Sequence, residues 1–246
     1  MKTEEEKNNE IDINEVAITL EVDSEVIGKV RNGDIRQLEL DSKEDELNLE
    51  ALRYIVLTDG DDHCLTRILE VELDEPDDDR SLWKVRFNIV PVLEKPRKYL
   101  MRWNPSISSF KESDYVECVA NMNCGIFRLT WSIYEWEEAR VGDVFYMLRV
   151  GDDKAGIVFN GMILSNPHVL DDWAGSSKRR LYVDMACMNP VELGEKPEYS
   201  LEMLKTAIPE YNWEKGHSGA LLSDGVSEKL MALWNNEVMP SSQWLN

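Results

Sequence analysis

From residue 15 to 22 apolar and polar positions alternate, with Val16, Ile18, Leu20 and Val22 on one side. A period of two predicts a half-buried strand. Asp23 and Ser24 follow, and side chains of these types accept a backbone N–H at a helix start. Val26, Ile27 and Val30 then recur at helical spacing and Gly33 suits the stop, so 23–32 reads as a short helix. Strands are expected over 35–40, 53–58, 65–73 and 82–92; in the last, Trp83, Val85, Phe87 and Ile89 alternate with Lys84, Arg86 and Asn88. The acidic stretch 42–50 is ambiguous, and Gly60-Asp61-Asp62 is turn chemistry.

Further along, 99–103 reads as a strand broken by Asn104-Pro105, and the Ser-rich 106–114 reads as a loop. Strands are expected over 125–132, 144–150, 155–164 and 181–188, with Gly142-Asp143 turning into the second of them. Gly156 and Gly161 inside a strand mark a bulge, a barrel bend or a close backbone approach. Two helices end the pattern: 201–207, capped by Ser200 and stopped by Pro209, and 224–234, capped by Ser223 with Val226, Leu230 and Leu233 on one face. The class is α+β and strand-rich.

Charge divides the 246 residues. Residues 1–95 hold 27 acids against 12 bases, a net of −15; residues 96–246 hold 21 against 15, a net of −6. Seven of the eight tryptophans lie in the second part. Both shifts place a boundary at Lys95-Pro96, giving a disordered leader over 1–12, an acidic α+β domain over 13–95 and a second domain over 97–246. The overall charge of −21 argues against a general electrostatic grip on nucleic acid, which needs a basic surface. The longest apolar runs fall short of a membrane span, and the polar start MKTEEEKNNE has no secretory h-region. Four cysteines without a CxxC pair, and three histidines, offer no zinc spacing and fit a reducing cytoplasm. No metal and no cofactor is expected.

Three features carry candidate chemistry. Gly216-His217-Ser218-Gly219 sets a His beside a Ser without the spacing of a nucleophile elbow; a tight turn and a hydrolytic pair are the alternatives, and His217 lining a ligand pocket is the preferred reading. Lys178-Arg179-Arg180 is a cluster of three bases in an acidic chain. It is either a solvated loop paired with nearby acids or a phosphate contact beside an aromatic platform. Trp136 and Trp234 read as packing residues. Trp103, Trp131 and Trp173 sit beside polar or loop residues, where the wall of a slot for a flat heterocycle is expected.

Arg102-Trp103-Asn104-Pro105, Trp131, Val141-Gly142-Asp143-Val144, Gly151, Gly156-Ile157-Val158 leading to Gly161, and Ser165-Asn166-Pro167 occur in an order that resembles the EVE-like branch of the PUA superfamily over about 97–240. The resemblance implies a strongly curved β-barrel with peripheral helices that holds a modified or flipped-out base in an aromatic pocket. The matching positions are Trp103, Asn104, Trp131, Ser165 and Trp173. Relatives that bind nucleic acid usually show a basic face, which this acidic chain departs from. Gly33-Asp34-Ile35-Arg36-Gln37-Leu38-Glu39 is similar to the ASCH branch of the same superfamily, with its base displaced by one position. The expected function is non-catalytic binding of a base, a nucleotide, or modified DNA or RNA. The alternative is an acidic interaction module that docks a basic protein or mimics nucleic acid.

Overall fold

Alternation of apolar residues builds the first sheet of the computed structural model, which describes residues 17–42, 49, 52–74, 82–121, 127–172, 175, 178–191, 193 and 199–234. The chain divides into two units that part between Val92 and Leu93. In the first, β1 (Ala17–Glu21) leads into α1 (Ser24–Arg31), followed by β2 (Gln37–Ser42), β3 (Tyr54–Thr58), β4 (His63–Asp74) and β5 (Trp83–Pro91). They form one sheet in the order β1-β3-β4-β5-β2, with β1 and β3 parallel and the other pairs antiparallel. Val85, Phe87 and Ile89 point into a core with Ile55, Leu57 and Cys64, and α1 closes it with Ile27 and Val30. Asp23 holds the N-cap position through its carbonyl, which accepts the Val26 N–H at 2.9 Å; its side chain makes no cap bond. On the outer face Arg86 is ringed by Glu39, Glu72 and Asp74, surface pairs that stabilise little individually.

The second unit holds β6 (Lys98–Trp103), α2 (Glu112–Asn121), β7 (Phe127–Ser132), β8 (Val144–Arg149), β9 (Gly156–Ile163), β10 (His168–Asp171), β11 (Arg179–Cys187), β12 (Tyr199–Ser200), α3 (Leu201–Ala207), β13 (Ala220–Leu221) and α4 (Asp224–Leu233). Its curled sheet runs β10-β11-β9-β8-β6-β13, with β7 on the other edge of β11 and β12 on β9. One face encloses Tyr99, Met101, Trp103, Phe145, Met147, Phe159, Val183 and Met185. The opposite face of β6, β8 and β9 packs Leu100, Tyr146, Leu148 and Ile157 against Leu204 of α3, Trp213, and Val226 and Leu230 of α4. Strands covered on both sides read as continuous apolar runs, and every residue of β8 and β9 is buried. Gly156 and Gly161 mark close backbone approach. A Cβ on Gly161 would lie 1.9 Å from the Ala186 carbonyl oxygen, and one on Gly156 would lie 2.4 Å from that of Tyr199.

Hydrogen bonds outside the regular strands complete the curl into a circuit. Past β7, the Ile133 N–H still donates to Leu181 O on β11 at 3.0 Å. Tyr134 N–H then donates to Ser218 O (3.1 Å) and Glu135 N–H to Gly219 O (3.0 Å), while Gly219 N–H donates to Leu100 O of β6 (2.9 Å). The path β6-β8-β9-β11-β7 thus returns to β6 through residues 218–219. Gly219 sits at φ 77, and a Cβ there would meet Ile133 Cα at 2.6 Å; only glycine fits this crossing.

Several expectations need correction. The 106–114 stretch is not loop throughout, because α2 begins at Glu112. Its start is fixed by the Asp114 carboxylate, which accepts the Lys111 N–H at 2.7 Å, one half of a capping box. Arg179 and Arg180 open β11 instead of forming a loop, registered against Asp171 and Leu170 of β10, a strand the apolar pattern missed. Trp136 is 41% exposed and not a packing residue, whereas Trp234 is 1% exposed. Ser200 Oγ accepts the Met203 N–H at 3.3 Å, but Ser223 makes no side-chain cap bond. The expected leader over 1–12 lies outside the described residues.

Candidate functional site

Trp103 ends β6 on the enclosed face and is fully buried. Its indole N–H donates to Phe110 O at 2.8 Å, and its ring lies 5.3 Å from Phe110 and 5.6 Å from Tyr115. The Arg149 guanidinium sits 5.5 Å from the ring centre. Burial opposes that charge, but the hydrogen bonds Arg149 donates to the Asp152 and Glu112 carboxylates raise its pKa above the ordinary value. The sole polar group of Trp103 is therefore spent on holding Phe110 in place, and its ring packs as core. Asn104 is a turn former: its side-chain oxygen accepts the Ser106 N–H at 3.0 Å. The turn leads straight to Phe110.

What Phe110 faces is the inward side of β7. Phe127, Leu129 and Trp131 point inward by strand parity, and all three are only partly covered. Their counterparts on β8, β9 and β11 are buried. Phe110 stacks on Phe127 (5.7 Å between centroids, 23° between planes) and meets Trp131 edge to face (6.4 Å, 86°). Three partly covered aromatic rings thus line one inner wall beside the 104–110 turn. The sequence pointed to Trp131 and not to the two phenylalanines. Period two along 127–131 was the available signal for Phe127, and nothing local linked Phe110 to it.

Trp131 is tied to the closing segment. Its indole N–H donates to Ser218 Oγ at 3.0 Å, and the same oxygen accepts the Arg102 backbone N–H at 3.0 Å. Arg102 extends along that segment, donating to the carbonyls of Trp213 (2.9 Å) and Lys215 (2.6 Å). Burial lowers the pKa of this guanidinium from its ordinary value, and Tyr211 works against the shift. Exposed His217 turns away from Ser218 and stacks on Tyr134, with centroids 4.1 Å apart and planes at 20°. A nucleophile needs its base within hydrogen-bond reach, so the hydrolytic pairing of these neighbours is not formed.

The remaining expected residues lie along β9–β11. Ser165 is 4% exposed, and its Oγ accepts the Asp184 N–H at 2.8 Å and lies 3.4 Å from His168 Nδ1. It bridges the break between β9 and β10 to β11. Val169 and Leu170 are neighbours of opposite parity, yet are 46% and 41% exposed. The outer end of the β10–β11 ribbon is therefore exposed on both faces, with Lys178, Arg179 and Arg180 exposed there. Arg180 pairs with buried Asp172 at 2.9 Å. Trp173 lies outside the described residues. Among the described residues no cluster of three His, Cys, Asp or Glu groups suits a metal, and no helix is long and apolar enough to cross a membrane.

The chain matches no family model and no curated protein. Among solved structures, the Mmi1 YTH domain complexed with RNA has a TM-score of 0.36 and 10% identity, over 58% of this chain and 80% of that one. The YTH domain of Zygosaccharomyces rouxii MRB1 in complex with N6-methyladenosine RNA gives 0.33 and 11%, over 70% and 99%. Rpa0253 from Rhodopseudomonas palustris gives 0.31 and 16%, over 61% and 88%. Likenesses this distant say nothing of what this chain binds.

Proposed function

We propose that the second unit is a nucleic-acid-binding barrel of the PUA-like, EVE-like kind that holds one base against the inner wall of β7. The observation that carries this reading is the row of partly covered rings, Phe110, Phe127 and Trp131. The part of this aromatic wall left in water costs free energy, and a flat base recovers it by stacking. Trp103 and Asn104 act one step back by setting the turn that carries Phe110. The ribbon bases Lys178, Arg179 and Arg180 supply the phosphate contact, in a chain whose net charge of −21 rules out broad attraction. Recognition then rests on stacking and edge hydrogen bonds.

The test is a fluorescence titration of the purified chain with short single-stranded RNA and DNA, carrying plain or methylated adenine. Trp131→Ala is expected to weaken binding about tenfold, the usual loss for one stacked base. Affinity should fall only shallowly with salt, since few phosphates are neutralised. Unchanged affinity in Trp131→Ala, or a steep salt slope in the wild type, removes base binding at this wall.

A further inference from the structure

The parallel strands β6 and β8 end side by side, with Trp103 in register with Arg149. Arg149 shares its parity with Phe145 and Met147, which face the enclosed core, and its side chain is 3% exposed. Burying a cation costs free energy unless it is paired and hydrogen-bonded. Arg149 is both: Nη2 donates to Glu112 (2.5 Å) and Asp152 (2.6 Å), and Nε donates to Asp152 at 3.0 Å. Its Nη1 is buried without a hydrogen-bond partner, and the guanidinium lies over the electron-rich face of Trp103. Two carboxylates in bonding contact repel phosphate, so this arginine is not a ligand for a nucleic-acid backbone.

Glu112 follows Phe110 by two positions and opens α2. Besides Arg149 it accepts Lys154 Nζ at 3.1 Å, and the Lys154 N–H donates to Asp152 at 3.1 Å. The turn 150–154 is thereby locked to the start of α2. The same turn receives the other end of the segment that carries Phe110. Gly151, at φ 94, leaves room for the Asn104 carboxamide, which a Cβ would meet at 2.5 Å. Lys111 Nζ closes the neck by donating to Pro105 O at 3.3 Å, and the Trp103 indole holds the Phe110 carbonyl. Residues 104–112 are therefore pinned at both ends, and Arg149 touches both pins.

We infer that Arg149 is the positioning residue of the aromatic wall: through Trp103 and Glu112 it fixes the loop that presents Phe110 to Phe127 and Trp131. The inference deepens the base-binding reading above and rests on it. It assigns the buried charge beside the wall to holding a ring in place.

Arg149→Met would strand two carboxylates at the edge of a core and is expected to weaken the whole unit. The test therefore uses Glu112→Gln, whose side chain is 39% exposed. Glu210→Gln, which breaks the surface pair with Lys229 (2.6 Å), is the control. The first readout needs no ligand. With 4-fluorophenylalanine in place of the five phenylalanines, the fluorine resonances of Phe110 and Phe127 should shift in Glu112→Gln and stay in place in Glu210→Gln. The second readout is affinity for a short single-stranded oligoadenylate. Phe110→Ala is expected to weaken it about tenfold and Glu112→Gln about threefold. Adding Glu112→Gln to Phe110→Ala should cause no further loss, because the two act through one ring. An unmoved Phe110 signal, or full strand affinity in Glu112→Gln beside a weakened Phe110→Ala, overturns the positioning role and keeps the wall. A further loss in the double variant overturns it as well, since Glu112 then acts on the strand by another route. A shifted Phe110 signal with Phe110→Ala and Trp131→Ala both binding as wild type, or with no binding by the wild type, supports the clasp and removes base binding at the wall.

Discussion

Replacing Gly161 by alanine is expected to destabilise the second unit by about 3 kcal/mol, at the upper end for an overpacked core. The added methyl would stand 1.9 Å from the Ala186 carbonyl oxygen, on the very strand that pairs with Gly161 through Cys187. A backbone atom inside a sheet buried on both faces cannot swing aside as a flexible side chain would, so β9 and β11 must part. At that cost the midpoint of thermal unfolding falls by roughly 6–12 °C for a unit of this size. Gly225→Ala is the control: a Cβ there meets nothing within 4 Å, and helix propensity raises stability by up to about 1 kcal/mol. Calorimetry that found both variants equally stable would show that β9 and β11 are not packed as closely as described.

That glycine was legible in the sequence for a physical reason: a residue without a side chain inside an apolar run has few purposes, and close approach is one of them. The same holds for β1, α1, β3, β4, β5, β8 and β9, whose apolar periods depend on local neighbours alone. Two elements escaped for different reasons: β10 is mostly exposed and held by β11, while α2 is started locally by the Asp114 carboxylate among serines that resemble a loop.

The site was legible only in part because its logic is three-dimensional. Neighbours in the chain cannot tell an inward from an outward tryptophan at a strand end. Trp103 stands next to polar Asn104 and yet faces the core, since Tyr99, Met101 and Trp103 share one parity with the enclosed face. Phe110 becomes part of the wall through the indole of Trp103. Tyr134 and His217, 83 positions apart in the chain, meet only because the circuit closes there.

The Gly216–Gly219 motif shows what a suggestive sequence can be for. Removing the hydroxyl in Ser218→Ala is expected to cost about 2–3 kcal/mol, because two donors lose their shared acceptor: the Arg102 N–H and the Trp131 indole. Both residues are half-buried, so water restores part of the loss and holds the figure below that for fully buried groups. A local readout separates this role from a general weakening. The amides of Tyr134, Glu135 and Gly219 close the circuit, and they should exchange with deuterium faster relative to those of β8, with a change in tryptophan emission as Trp131 is freed. His217→Ala should stay within about 0.5 kcal/mol of wild type, as expected for an exposed side chain. A nucleophile and its base would instead fail together in activity while leaving stability alone. Ser218→Ala with native stability and unaltered exchange at those three amides would mean that the circuit closes without this hydroxyl. A loss confined to the seam assigns Ser218 to holding the wall on which Trp131 stands.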